Sequence, residues 1–125
     1  MVTTLVDTSV LIDALRHFQQ AEQWLSTQKN LGVVSPVWLE VLDGTPNKRE
    51  QLRALQLLSQ FDRVDLTPAD FDWAILQQTR YKLSHNVGGI DCLIAVPSHR
   101  LNVPLYTMNL KHFTPMLGAL AISPY

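Results

Sequence analysis

Residues 5–13 read LVDTSVLID, and the hydrophobic period changes inside them. Strand-forming residues from Thr3 to Val6 stop at Asp7, and Leu11, Ala14, Leu15 and Phe18 then recur at helical spacing. The pattern predicts a strand over 3–7 and helical structure from about 9 to 28, broken near His17. A carboxylate at such a junction has an ordinary explanation, because an Asp before a helix caps free backbone N–H groups. Thr8 and Ser9 offer the same cap, which leaves Asp7 open to another use.

The elements that follow set the fold class. LGVVSP predicts a short strand, with Ser35 as N-cap and Pro36 as the first helical residue. The helix PVWLEVLDG stops at Gly44. TPNKREQLRALQLLSQF predicts another, opening at Thr45–Pro46 with Leu52, Leu55 and Leu58 along one side. RVDL at 63–66 is a third strand, and TPADFDWAILQQTRYKL opens with Thr67, Pro68 and Asp70, a capping-box start. IDCLIAV predicts a helix that Pro97 kinks or ends near the preceding residue. VPLYTM gives a fourth strand and ALAIS a short fifth at an edge. Strands alternating with helices imply an α/β fold with a central parallel sheet of four or five strands flanked by helices. Ligands of such sheets bind beyond the carboxyl ends of the strands. Asp7 and Asn109 both stand at such ends.

At 125 residues the chain reads as one domain, 1–125, with enough length for a real core. Its 46% hydrophobic and 17% charged content is ordinary for a globular protein. No apolar run approaches the ~18 residues a membrane-spanning helix needs. The start of the chain lacks the basic region of a signal peptide, and the lone Cys92 excludes an intrachain disulfide. These features together point to the cytoplasm and to no membrane. A net charge of −1 argues against bulk, non-specific nucleic-acid binding. It leaves room for a local basic rim around an acidic pocket. Lys48, Arg49 and Arg53 form one basic cluster, and Arg80 with Lys82 another, although each also reads as a solvated helix face.

Among the acids, Glu40 is the only charged residue in PVWLEVL and shares a side with Pro36 and Val37. An acid on a mostly buried helix needs a partner, a metal or a cleft. Asp91 follows two glycines and opens a helix, where the dipole favours an anion as a cap or as part of a site. Asp13 reads as the outer side of the first helix, within reach of a pocket rim. Glu22, Asp43, Glu50, Asp62, Asp65, Asp70 and Asp72 read as surface or caps. In a parallel α/β layer Asp7, Glu40 and Asp91 can all lie at one edge of the sheet. Three converging carboxylates repel one another, and a divalent cation removes the conflict. Oxygen-only donors favour Mg²⁺ or Mn²⁺ over zinc, and such an ion suits displacement at phosphorus.

These residues and their order resemble the PIN domain, most closely the VapC-like toxin ribonucleases of prokaryotic toxin–antitoxin pairs. The resemblance covers essentially the whole chain. LVDTSVLID is similar to the family's first motif, SPVWLEVLDG to the segment with the second acid, GGIDCLIA to that with the third, and LYTMNLKHF to the strand and loop that close the site. It implies a PIN-like, Rossmann-like three-layer fold. It also implies Asp7, Glu40 and Asp91 as catalytic metal ligands, Asn109 as a further catalytic residue, and Ser9 as hydrogen-bonding support near Asp7. His112 stands where some members carry a fourth acid, which leaves one or two metals open and gives the histidine either substrate phosphate or an Asx turn as its contact. The implied activity is Mg²⁺-dependent (or Mn²⁺-dependent) hydrolysis of RNA, tRNA or another structured RNA. The implied partners are a small antitoxin protein and a second copy in a homodimer, with Trp24, Trp38, Leu57 and Trp73 as residues for those surfaces or for the core.

Two phosphoaspartate folds fit less well. A haloacid-dehalogenase-type phosphatase wants a second Asp where this chain has Ser9, and a receiver domain wants a Lys where it has YTMN. Two alternatives within the resemblance remain. One is a PIN-like module that binds RNA or protein without cutting; the other is a PIN ribonuclease of RNA processing that is not a toxin.

Overall fold

A computed structural model describes residues 1–125. The chain alternates strands and helices in the order β1 (Thr4–Val6), α1 (Thr8–Leu15), α2 (Gln19–Thr27), β2 (Leu31–Val34), α3 (Ser35–Asp43) and α4 (Lys48–Leu58). There follow β3 (Asp62–Val64), α5 (Pro68–His85), α6 (Gly89–Leu101), β4 (Leu105–Tyr106), α7 (Leu110–Leu117) and β5 (Ala121–Ile122). All five strands are parallel, in the order β3-β2-β1-β4-β5. Winding runs from β1 through β2 to β3, then crosses over to place β4 and β5 on the other side of β1. The direction therefore reverses between β1 and β4, the point where open α/β sheets form a ligand crevice. No helix is long and apolar enough to cross a membrane.

The inner strands are apolar without alternation, as strands covered on both faces must be. Leu5, Val6, Leu31, Val33 and Val34 are all buried, and Val10, Leu11, Val37, Val41, Ile94 and Phe113 close over them from the helices. At Gly32 on β2 a Cβ would stand 2.8 Å from Val2 and 2.9 Å from Val64, so no larger residue fits between them. Trp24, Trp38, Leu57 and Trp73 pack against this core as partly buried side chains.

The sheet and the break at His17 (φ 63°) match the expectation, but several boundaries and environments do not. Ser35 is the first residue of α3 rather than its N-cap, and its hydroxyl donates to Asp65 and to the Val64 carbonyl, tying the helix to the exit of β3. Helix α4 begins at Lys48, not at Thr45–Pro46, because the Asn47 side chain accepts from the Glu50 N–H at 2.9 Å and fixes the start there. Of Leu52, Leu55 and Leu58 only the last is buried, beside Ala54; the others face solvent.

Pro97 does not end α6, which continues to Leu101. A proline inside a helix costs roughly 3 kcal/mol, and here Pro97 lies in the buried run from Ile94 to Ser98, whose packing offsets the lost hydrogen bond. Asn102, with φ 55°, supplies the stop. The residues after β4, expected as a loop, form α7. Asp70 caps α5 as expected, accepting from the Thr67 N–H at 2.8 Å. It is nevertheless buried and paired with Arg100 of α6 at 3.0 Å. Asp13 accepts from the Tyr125 hydroxyl at 2.7 Å.

Candidate functional site

Asp7 is the first residue beyond β1, and its N–H donates to the Tyr106 carbonyl of β4 at 2.9 Å. That bond pins it at the reversal between β1 and β4. It occupies the N-cap position of α1, yet its side chain caps nothing. Instead Oδ2 accepts from the Ser9 hydroxyl at 3.0 Å and the Thr107 hydroxyl at 2.8 Å. Neither Thr8 nor Ser9 serves as the cap; both lie inside the first turn of α1. Asp7 is only 5% exposed. Burial pushes its pKa up, the hydroxyl bonds pull it down without winning, and the charge of Asp91 adds to the upward push.

Thr107, one residue past β4, is fully buried, and its oxygen also accepts from the Asn109 N–H at 2.9 Å. The Ser9 oxygen likewise accepts from the Met108 N–H at 3.1 Å. Two hydroxyls therefore knit the ends of β1 and β4 together around one carboxylate. Thr107→Val keeps the volume but strips Asp7 of a donor and leaves the Asn109 N–H without its acceptor. The expected result is a loss of about 2 kcal/mol in a denaturant melt and a roughly 10- to 100-fold weaker affinity for Mn²⁺. A variant with wild-type stability and affinity contradicts this role.

Asp91 lies in the first turn of α6 with its side chain 24% exposed. Its Oδ2 receives the Gly88 N–H at a long 3.4 Å and the His112 Nδ1 at 3.2 Å. The same His112 nitrogen stands 2.8 Å from the Asn109 side-chain amide. One ring nitrogen carries either a hydrogen or a lone pair, so it serves Asp91 or Asn109 but not both at once. Asn109 is the residue before α7, and His112 lies in the helix's first turn, so both face Asp91 from the β4 side. Glu40, expected on a buried side of its helix, is exposed; its Oε1 accepts from the Thr8 hydroxyl at 2.7 Å, beside Asp7.

Neither Asp7 nor Asp91 forms an ion pair with Lys or Arg. Oxygen donors carrying uncompensated negative charge fit a hard divalent cation. No group of three or more His, Cys, Asp or Glu side chains stands together as a ready metal cage. Two contributors escaped the sequence reading. Thr107 stands after the fourth strand where Asp7 stands after the first, a positional signal that was available; Thr8 looked like a cap and instead holds Glu40.

The fold is similar to that of a toxin–antitoxin complex from Klebsiella pneumoniae, with a TM-score of 0.82 and 21% identity, covering 98% of both chains. It is similar also to VapBC2 from Rickettsia felis (TM-score 0.77, 20% identity, 98% of this chain and 97% of that one). VapBC-1 from nontypeable Haemophilus influenzae gives a TM-score of 0.76 at 20% identity, over 99% of this chain and 98% of that one. At these identities the likeness is one of fold. No curated protein sequence matches the chain. The family profile described as PIN domain matches residues 4–113, which run from β1 into α7 and include Asp7, Glu40 and Asp91. The chain belongs to the PIN domain family.

Proposed function

We propose that this chain is a Mg²⁺- or Mn²⁺-dependent endoribonuclease and the toxin of a type II toxin–antitoxin pair. The observation that carries the reading is the buried Asp7 carboxylate, held by Ser9 and Thr107 at the sheet reversal with no Lys or Arg paired to it. Asp7, Asp91 and Glu40 are the residues that would hold the cation. When bound, such an ion activates water and stabilises charge developing at phosphorus. The protein's own part is to orient: Ser9 and Thr107 fix the Asp7 carboxylate, Thr8 holds Glu40, and His112 steers the Asp91 carboxylate when its Nδ1 carries the hydrogen. RNA is the substrate.

Family membership and the fold shared with toxin–antitoxin complexes support an antitoxin as partner. A groove of about 360 Å³ between α2 and α4, lined by Leu25, Leu57 and Phe61 with Glu22 and Arg53 at hand, offers it an apolar seat. Exposed Leu39 and Leu52 are available to a second copy of the chain.

The non-cutting alternative draws on one observation, that the acids do not stand together as a ready cage and Glu40 is bonded to Thr8. Purified protein incubated with total RNA, followed by sequencing of new 5′ ends, separates the two. New ends in Mg²⁺ that vanish with EDTA and in Asp91→Asn are the expected result. Full cleavage in EDTA or in Asp91→Asn overturns the metal-nuclease reading, and no cleavage with either cation favours the binding module.

A further inference from the structure

An open groove of about 540 Å³ lies between the end of α5 and the start of α7, lined by Tyr81, His85, Leu110, Lys111, Thr114 and Pro115. It is open to solvent, and its lining sets an aromatic pair against a cation. Tyr81 and His85 form an aromatic wall, their rings edge to face at 5.5 Å. Lys111 faces them from α7 and has no ion-pair partner. No carboxylate lines the groove, although acids outnumber Lys and Arg in the chain as a whole. Its position follows from α7: Lys111 immediately precedes His112, whose Nδ1 lies 3.2 Å from Asp91. Lys111 and His112 are neighbours on α7 that point about 100° apart, so the groove lies around that helix from the Asp91 contact.

We infer that this groove holds a nucleotide of single-stranded RNA flanking the cleaved bond, with Lys111 on a phosphate and the Tyr81–His85 wall against a base. The inference rests on the ribonuclease reading and extends it to how the substrate is seated. Aromatic faces combined with isolated cations are the recurrent platform for single strands, since every base has a face to stack. A chain of net charge −1 cannot coat a backbone and must take its phosphates at particular cations.

The test is binding of a labelled single-stranded oligouridylate of about eight nucleotides to the full chain in EDTA, where metal-dependent cleavage is silent. Lys111→Ala is expected to weaken binding several-fold and to flatten the slope of log K against log salt by about 0.7, the value of one phosphate contact on a single strand. Tyr81→Leu, which keeps an apolar side chain against the small cluster of Ala74, Val87 and Cys92, is expected to weaken it about tenfold, while Tyr81→Phe binds like wild type. Lys29→Ala, on the turn before β2 at the opposite end of the sheet, is the charge control and should change nothing. Wild-type binding in Lys111→Ala and Tyr81→Leu overturns the inference, as does an equal loss in Lys29→Ala or no binding by wild type. If Tyr81→Leu fails to fold, the affinity and salt slope of Lys111→Ala decide. Because binding is read without metal, a protein that binds through this groove but never cuts overturns the nuclease reading alone, and one that cuts while ignoring the groove variants overturns the groove alone.

Discussion

Asp7→Asn is expected to lower RNA cleavage by on the order of 10³-fold while raising the melting temperature of the metal-free protein at pH 7. On the proposed function, the first effect is the loss of a charged ligand from a site whose cation would contribute several kcal/mol to the transition state. The second follows from burial. Asn can place its carbonyl oxygen where Oδ2 now accepts from Ser9 and Thr107, so both hydroxyl bonds survive, and a desolvated charge facing Asp91 disappears. In the folded chain the Asp7 carboxyl keeps its proton to higher pH than in the unfolded chain. Between the ordinary aspartate value, about 3.9, and that raised value the folded state binds more protons, so stability falls as pH rises through the window. The advantage of Asp7→Asn should therefore be full above the window and vanish below it. Saturating Mn²⁺ should reverse the order, because only wild type gains from the bound ion. Thermal melts across pH, with EDTA and with Mn²⁺, read all of this; an Asn variant less stable than wild type at pH 7 in EDTA contradicts it.

Arg100→Leu is expected to be strongly destabilising although it lies outside the site, at about 2–3 kcal/mol and roughly 6–15 °C in melting temperature. Asp70 is only 3% exposed and takes both Arg100 Nε at 3.0 Å and Nη2 at 3.1 Å, while Nη2 also donates to the Asp65 carbonyl at 3.2 Å. Removing the arginine leaves a buried carboxylate alone, which is far costlier than losing a surface pair. The arginine itself is 34% exposed, and solvent screening keeps the figure toward the lower end of the range for buried pairs. Burial alone would raise the Asp70 pKa, but the Thr67 N–H and the Arg100 guanidinium outweigh it and hold it low. Its contribution to stability is thus present above the unfolded aspartate pKa and is lost as pH falls through the depressed folded value. Adding Asp70→Asn to Arg100→Leu should recover part of the loss, since the amide keeps an acceptor for Thr67 without a charge. Denaturant melts of the two variants measure this, and an Arg100→Leu protein within 2 °C (about 0.5 kcal/mol) of wild type contradicts it.

The parallel sheet was legible because its signal is local. Val6–Asp7 and Val34–Ser35 each mark a change from strand to helix period, and four such changes in order leave little choice of architecture. What escaped was decided by contacts between distant residues. Nothing near Pro97 announces that the buried packing of α6 carries the helix through it. Asp70 reads as a cap because its capping partner is three residues away, whereas Arg100 is thirty residues away. The site was half visible. Asp7 stood out because a carboxylate ends a buried strand, but its strongest partner, Thr107, lies 100 residues on and meets it only when β4 pairs with β1. Glu40 looked buried because its neighbours are apolar; the helix turns it outward to Thr8.

Titration of metal-free protein with Mn²⁺ in a calorimeter puts the cation site itself to the test. One saturable site in wild type, abolished in Asp7→Asn and in Asp91→Asn and weakened in Glu40→Gln, is the predicted result. Binding that is unchanged in both Asn variants, or no saturable binding in wild type, contradicts a cation held between the ends of β1 and β4.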